Sequence, residues 1–139
     1  MEVELKKYMG KWYEIARIPT CFELNMKNVT AQYDLNKDGT VKIVNSGYVN
    51  GQLRQVTATA SLTDKDDLLK VSFFPTMFTD YKIVAVDKDY KYAIVGGKCK
   101  YHLWLLSRTP NISQTMYNEL INIAKNEGYD TNRLVITES

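Results

Sequence analysis

Hydrophobic and polar residues alternate along most of this chain in short runs rich in β-branched and aromatic side chains, and each run ends in turn chemistry. The alternation predicts strands at about 11–18 (KWYEIARI), 28–35 (NVTAQYDL), 40–48 (TVKIVNSGY) and 53–63 (LRQVTATASLT). Four more follow at about 68–74 (LLKVSFF), 80–87 (DYKIVAVD), 91–97 (KYAIVGG) and 101–108 (YHLWLLSR). Asn36-Lys37-Asp38-Gly39, Asn50-Gly51, Asp64 to Asp67 and Asp87-Lys88-Asp89 supply the turns between them. Eight short consecutive strands imply an all-β fold, an eight-stranded up-and-down antiparallel barrel. The period then changes. Met116, Leu120, Ile123 and Ala124 recur at helical spacing between a Ser113 N-cap and Gly128, which predicts a helix over about 113–127. Its other face, Asn118, Glu119, Asn122, Lys125 and Asn126, is polar, so the helix is expected outside the barrel wall. A short last strand is expected at about 134–137 (LVIT). No repeat, linker or low-complexity tract divides the chain, so the expectation is one domain over 1–139 with its barrel at about 10–108.

Composition narrows the function classes. The chain has 139 residues, 45% hydrophobic and 24% charged, enough for one domain with a core of its own. No apolar run approaches about 18 residues, and the mean hydropathy is -0.33, so no transmembrane helix is expected. The 18 Lys and Arg are scattered and nearly balanced by 16 Asp and Glu, which argues against nucleic acid as a partner. A single histidine, His102, and two well-separated cysteines, Cys21 and Cys99, form no cluster with ligand spacing, so neither metal nor cofactor is expected. Cys21 and Cys99 fall in the first and seventh loops, at the same end of such a barrel; in a reducing compartment they are expected as free thiols, and a disulfide between them is the alternative that export would favour. Met1 to Met9 is charged, without an apolar core or a cleavage site. As written, the chain reads as cytoplasmic; periplasmic, outer-membrane or secreted placement applies if the natural chain begins upstream.

The run Gly10-Lys11-Trp12-Tyr13-Glu14-Ile15-Ala16-Arg17 resembles the G-x-W signature of the lipocalins, in the extended form seen in bacterial outer-membrane lipocalins and apolipoprotein D-like relatives. The resemblance continues through Ile18-Pro19, Phe22-Glu23, Val71-Ser72-Phe73-Phe74 and Leu103-Trp104-Leu105-Leu106-Ser107-Arg108-Thr109-Pro110, and so spans essentially the whole chain. Asp87-Lys88-Asp89-Tyr90 matches the middle motif only in its looser D-x-x-Y form, and Thr79-Asp80-Tyr81 lies on the wrong side of the sixth strand to serve. The resemblance implies a calyx: a barrel closed at one end, with the helix packed outside. In an up-and-down barrel, Trp12, Asp87 to Tyr90 and Arg108 all fall at one end. Gly10, Trp12 and Arg108 are therefore expected to close the floor, with Arg108 over the Trp12 indole in a cation–π pair worth about 0.5–2 kcal/mol.

Period-two alternation then assigns the faces. With Trp12 pointing in, Glu14 and Ala16 follow it, while Tyr13 and Ile15 face out under the helix. On the eighth strand His102, Trp104 and Leu106 point in, and Leu103 and Leu105 lie under the helix. The inward set continues with Ile43 and Asn45, then Val56, Ala58 and Ala60, then Leu69, Val71 and Phe73, then Tyr81, Ile83 and Ala85. One bulge reverses a face. The four alanines leave volume that larger side chains would fill, so a hollow interior is expected, suited to a long apolar molecule with a polar end. The open-end loops are apolar, with Phe22, Leu24 and Met26, Tyr48 and Val49, and Pro75, Met77 and Phe78; exposed apolar rims mark binding surfaces. Lys27, Lys98 and Lys100 stand at that end, more simply as solvated loop charge than as receptors for a head group. Glu14 is expected as a buried carboxylate, driven toward its neutral form unless a partner holds its charge.

The resemblance implies a protein that binds and carries or stores a fatty acid, lysophospholipid or similar amphiphile. The inward residues Glu14, Ala16, Ile43, Asn45, Val56, Ala58, Ala60, Leu69, Val71, Phe73, Tyr81, Ile83, His102 and Trp104 would be its ligand contacts. A lipophilic small molecule is the expected partner, with membrane-surface contact through the open-end loops and assembly as a monomer or weak homodimer. An enzyme working in the same cavity is the alternative, as is an interaction module using the apolar rim. Against catalysis, no inward Ser/His/Asp or Cys/His set is present, and His102 and Glu14 belong at different depths.

Overall fold

In a computed structural model, residues 2–19, 26–74, 77–97 and 100–138 are described, with the side chains at 73, 74, 77 and 78 outside that description. All eight expected strands form: β1 Gly10–Arg17, β2 Lys27–Leu35, β3 Val41–Val49, β4 Gln52–Leu62, β5 Leu68–Phe74, β6 Met77–Val86, β7 Tyr92–Gly96 and β8 Leu103–Ser107. Each pairs antiparallel with the next, and β1 pairs with both β8 and β2, which closes the ring. At the β3–β4 turn Asn50 and Gly51 both take positive φ (52° and 77°), the conformation that a two-residue hairpin needs to match strand twist.

The helix α2 spans Gln114–Asn126, and the Ser113 side chain accepts a hydrogen bond from the Met116 N–H at 3.1 Å, as expected of its N-cap. The last strand, β9 Val135–Ile136, bonds to the upper half of β1 outside the ring. Thr137 N–H donates to Ile15 O and Asn28 N–H to Glu138 O, so the chain end ties β1 to β2 where those strands part. Two short elements were not expected: a single helical turn, α1 Leu5–Tyr8, and a 3-10 turn, Thr131–Arg133, just before β9.

The barrel wall separates two apolar clusters. Inside lie Trp12, Ala31, Tyr33, Val41, Ile43, Ala58, Ala60, Leu69, Val71, Ile83, Val95 and Leu106, with Tyr81 and Trp104 packed against them. Outside, Ile15, Ile94, Leu103, Leu105, Leu120 and Ala124 pack the wall against α2. Ala16 and Ala85 belong to the outer set, not to the interior expected of them. The cause is a bulge on each strand. On β1 Glu14 opposes Leu106 but Ala16 opposes Leu105, and on β6 Ile83 opposes Val95 but Ala85 opposes Ile94. Two residues then face one across the ladder, and the alternation advances by one position. The same step on β1 brings Arg17 to the inner side.

Ala58 and Ala60 are closely covered where they stand in the wall, at 2% and 0% exposed. A larger side chain at either position would press on the neighbours that cover it. Ala58→Phe is therefore expected to lower stability by about 1–3 kcal/mol through overpacking, read as a lower urea midpoint. An unchanged midpoint would mean that the ring finds a void. Higher up the picture changes: Val56, two residues from Ala58 on the same strand face, is 50% exposed, and Asn45 opposite it is half-buried.

Candidate functional site

The floor is built from three segments distant in sequence. Trp12 is fully buried and donates from its indole N–H to Tyr8 O at 2.9 Å. The Arg108 guanidinium lies 3.7 Å from the Trp12 ring centroid. Its Nε donates to Tyr90 O (3.0 Å), Nη1 to Lys11 O (2.9 Å), and Nη2 to Lys7 O (2.9 Å) and Tyr8 O (3.2 Å). One side chain thus caps the indole and satisfies the last carbonyls of α1, which have no partner within so short a helix. Gly10 sits at φ +100°, and a Cβ there would stand 3.4 Å from Arg108 Nη1. The Asp87 to Tyr90 turn meets them as expected, with Tyr92 N–H donating to the Asp87 carboxylate and Tyr90 presenting its carbonyl to Arg108.

Directly above the floor stands a set of tyrosines. Tyr8 and Tyr33 each place their hydroxyl within hydrogen-bond distance of Tyr81 Oη, at 2.6 and 2.7 Å. The Tyr8 ring packs against Trp12 (5.1 Å between centroids) and edge-on to Tyr33 (5.4 Å). Burial is the main force pushing all three phenols above their ordinary value. Tyr81 was expected to point inward; Tyr8 and Tyr33 were not read as site residues.

The polar feature of the wall is an ion pair. Glu14 is buried as expected, and Arg17 Nη1 donates to its Oε2 at 2.7 Å; the two side chains are 4% and 7% exposed. Thr137 Oγ1 donates to the same carboxylate oxygen at 2.6 Å, and Arg17 Nη2 donates to Met26 O at 3.3 Å. Arg17 is thus the partner that holds the Glu14 charge, delivered by the β1 bulge. Its signal in the sequence was only its place three residues after Glu14.

Toward the open end Trp104 is half-buried, and the His102 ring stacks on it, with centroids 6.3 Å apart and planes 23° from parallel. Lys27 pairs with Glu138 at 3.1 Å. Lys100 donates to Glu127 O at 2.9 Å and lies over the Tyr129 ring, so it holds the end of α2. Tyr48, Leu53 and Tyr101 are exposed apolar groups at this end. Cys21, Phe22, Leu24, Pro75, Lys98 and Cys99 lie outside the described residues, as do the side chains of Phe73, Met77 and Phe78.

The family model described as a lipocalin-like domain matches residues 3–139. The chain is 37% identical over 142 residues to the outer membrane lipoprotein Blc of Vibrio cholerae, covering 99% of this chain and 83% of that protein. It is 30% identical over 146 residues to mouse apolipoprotein D, covering 97% of this chain and 76% of the relative. Among solved structures, insecticyanin from the tobacco hornworm Manduca sexta superposes with a TM-score of 0.80 over 99% of this chain and 82% of its own, at 18% identity, a likeness of fold.

Proposed function

Since this chain belongs to the lipocalin family, whose barrel supports binding of small hydrophobic molecules, we propose that it carries or stores a long-chain amphiphile, a fatty acid or lysophospholipid, in the barrel. In this reading the chain binds and does not catalyse. The head group lies at the open end and the acyl chain runs inward past His102, Trp104, Asn45 and Val56. The observation that carries the reading is the contrast between the two tryptophans. Trp12 is sealed under Arg108, while Trp104 is half-buried beneath the mouth on the inner wall. A chain entering from the open end meets Trp104 and never Trp12. A pocket with apolar walls and a few polar groups is the usual composition of a site for such a ligand.

Oleic acid or lysophosphatidylcholine is accordingly expected to quench the intrinsic fluorescence, and Trp104→Phe to remove most of that response. Quenching that survives in Trp104→Phe would place the ligand elsewhere. Native mass spectrometry after expression in a lipid-containing host supplies the direct check, because a carrier retains a lipid adduct.

A further inference from the structure

The three tyrosine hydroxyls above the floor share two hydrogen bonds, Tyr8 to Tyr81 and Tyr33 to Tyr81, and no further hydrogen bond reaches any of them among the described residues. Each hydroxyl carries one proton and two lone pairs. Two bonds use two of the three protons, whichever way they are oriented, so one donor is left over. Burial holds the phenols in their protonated form, so that donor persists at any ordinary pH. Tyr8 and Tyr33 are covered, at 1% and 3% exposure, whereas Tyr81 is half-buried. The arrangement in which both covered tyrosines donate to Tyr81 leaves the Tyr81 proton as the unused one, on the least covered member of the set. A buried donor without an acceptor is costly, and a ligand oxygen would relieve that cost.

We propose that the Tyr8, Tyr33 and Tyr81 cluster is the inner polar end of the ligand site, and that Tyr81 donates a hydrogen bond to a neutral oxygen, a hydroxyl or carbonyl, at the deep end of an otherwise apolar ligand. This rests on the reading of the barrel as an amphiphile site and adds a second point of recognition, opposite the head group. A neutral acceptor fits better than a carboxylate. The Glu14 charge acts on Tyr33, and the nearby cation, Arg108, already donates to four backbone carbonyls. An anion at this depth would give up its water beside a carboxylate.

Binding of hexadecanoic acid and 16-hydroxyhexadecanoic acid, followed by Trp104 quenching, tests the proposal. In a purely hydrocarbon interior, a terminal hydroxyl buried without a partner weakens binding by about tenfold or more. The wild-type protein is expected to bind the hydroxy acid at least as tightly as the unsubstituted acid. Tyr81→Phe should weaken the hydroxy acid by about tenfold relative to hexadecanoic acid. Tyr33→Phe, which still leaves one unused proton between Tyr8 and Tyr81, should keep the wild-type ratio. A tenfold wild-type preference for the unsubstituted acid overturns the proposal without any variant, and so does an unchanged ratio in a folded Tyr81→Phe protein. If neither acid binds, the amphiphile reading itself fails, an outcome distinct from loss of the hydroxyl preference.

Discussion

Raising the pH above about 10 is expected to destabilise the protein steeply, by about 4 kcal/mol for each further pH unit, because three phenols are held neutral in the fold. Burial is the largest cause for Tyr8, Tyr33 and Tyr81 alike; repulsion from Tyr33 adds to it for Tyr8, and repulsion from both neighbours adds to it for Tyr81. In the unfolded chain these phenols ionise near the ordinary value of 10.0, and in the folded protein only well above it. Below pH 10 they are neutral in both states, and their contribution is complete. As pH rises past 10 the unfolded state loses protons first, and stability falls until the folded values are reached. Urea midpoints measured between pH 8 and 11.5 read the effect. Tyr33→Phe should lower the slope by about a third, since each group contributes about 1.4 kcal/mol per unit. A flat profile would mean that the tyrosines ionise without unfolding.

Arg17→Met is expected to cost about 3–5 kcal/mol, far more than the loss of a surface ion pair, because Glu14 stays behind in a place closed to water. Exposure decides the size: at 4% and 7% for the two side chains, solvent cannot replace the missing partner. The same geometry predicts a rescue. Glu14→Leu combined with Arg17→Met removes both charges, and the double variant should recover most of the lost stability, since apolar side chains of similar size replace a buried pair at little net cost. Thermal melts of the two single variants and the double form a cycle whose coupling should amount to several kcal/mol. Additive losses would show that the pair is solvated in solution.

The closing device of the barrel was legible in the residues because it is carried by short motifs. Gly10, Trp12, Asp87 and Arg108 each have a turn, a burial or a charge that only one arrangement satisfies, and they meet at the floor as the up-and-down order requires. The helix was equally legible, since Ser113, the apolar stripe and Gly128 act within one segment. The face assignments held only as far as the ladders are regular. Ile43, Ala58, Leu69, Val71, Ile83 and Trp104 lie on the inner side, but Ala16 does not, and Arg17 takes its place. Nothing in the run Glu14-Ile15-Ala16-Arg17 marks a bulge: no glycine or proline interrupts it, and the irregularity exists only in how β1 meets β8.

By itself, then, the sequence determined the number and order of the strands, the single outer helix and the plug at the closed end, because these follow from periodicity, turn chemistry and local caps that neighbouring residues settle among themselves. The tertiary structure alone decided which side of the wall Ala16 and Arg17 occupy, how closely Ala58 and Ala60 are covered, and that the hydroxyls of Tyr8, Tyr33 and Tyr81 meet at one point. The physical reason is that these properties belong to pairs of strands. A register shift between β1 and β8 turns a charged side chain inward, and a hydroxyl cluster forms only where α1, β2 and β6, remote along the chain, converge above the floor.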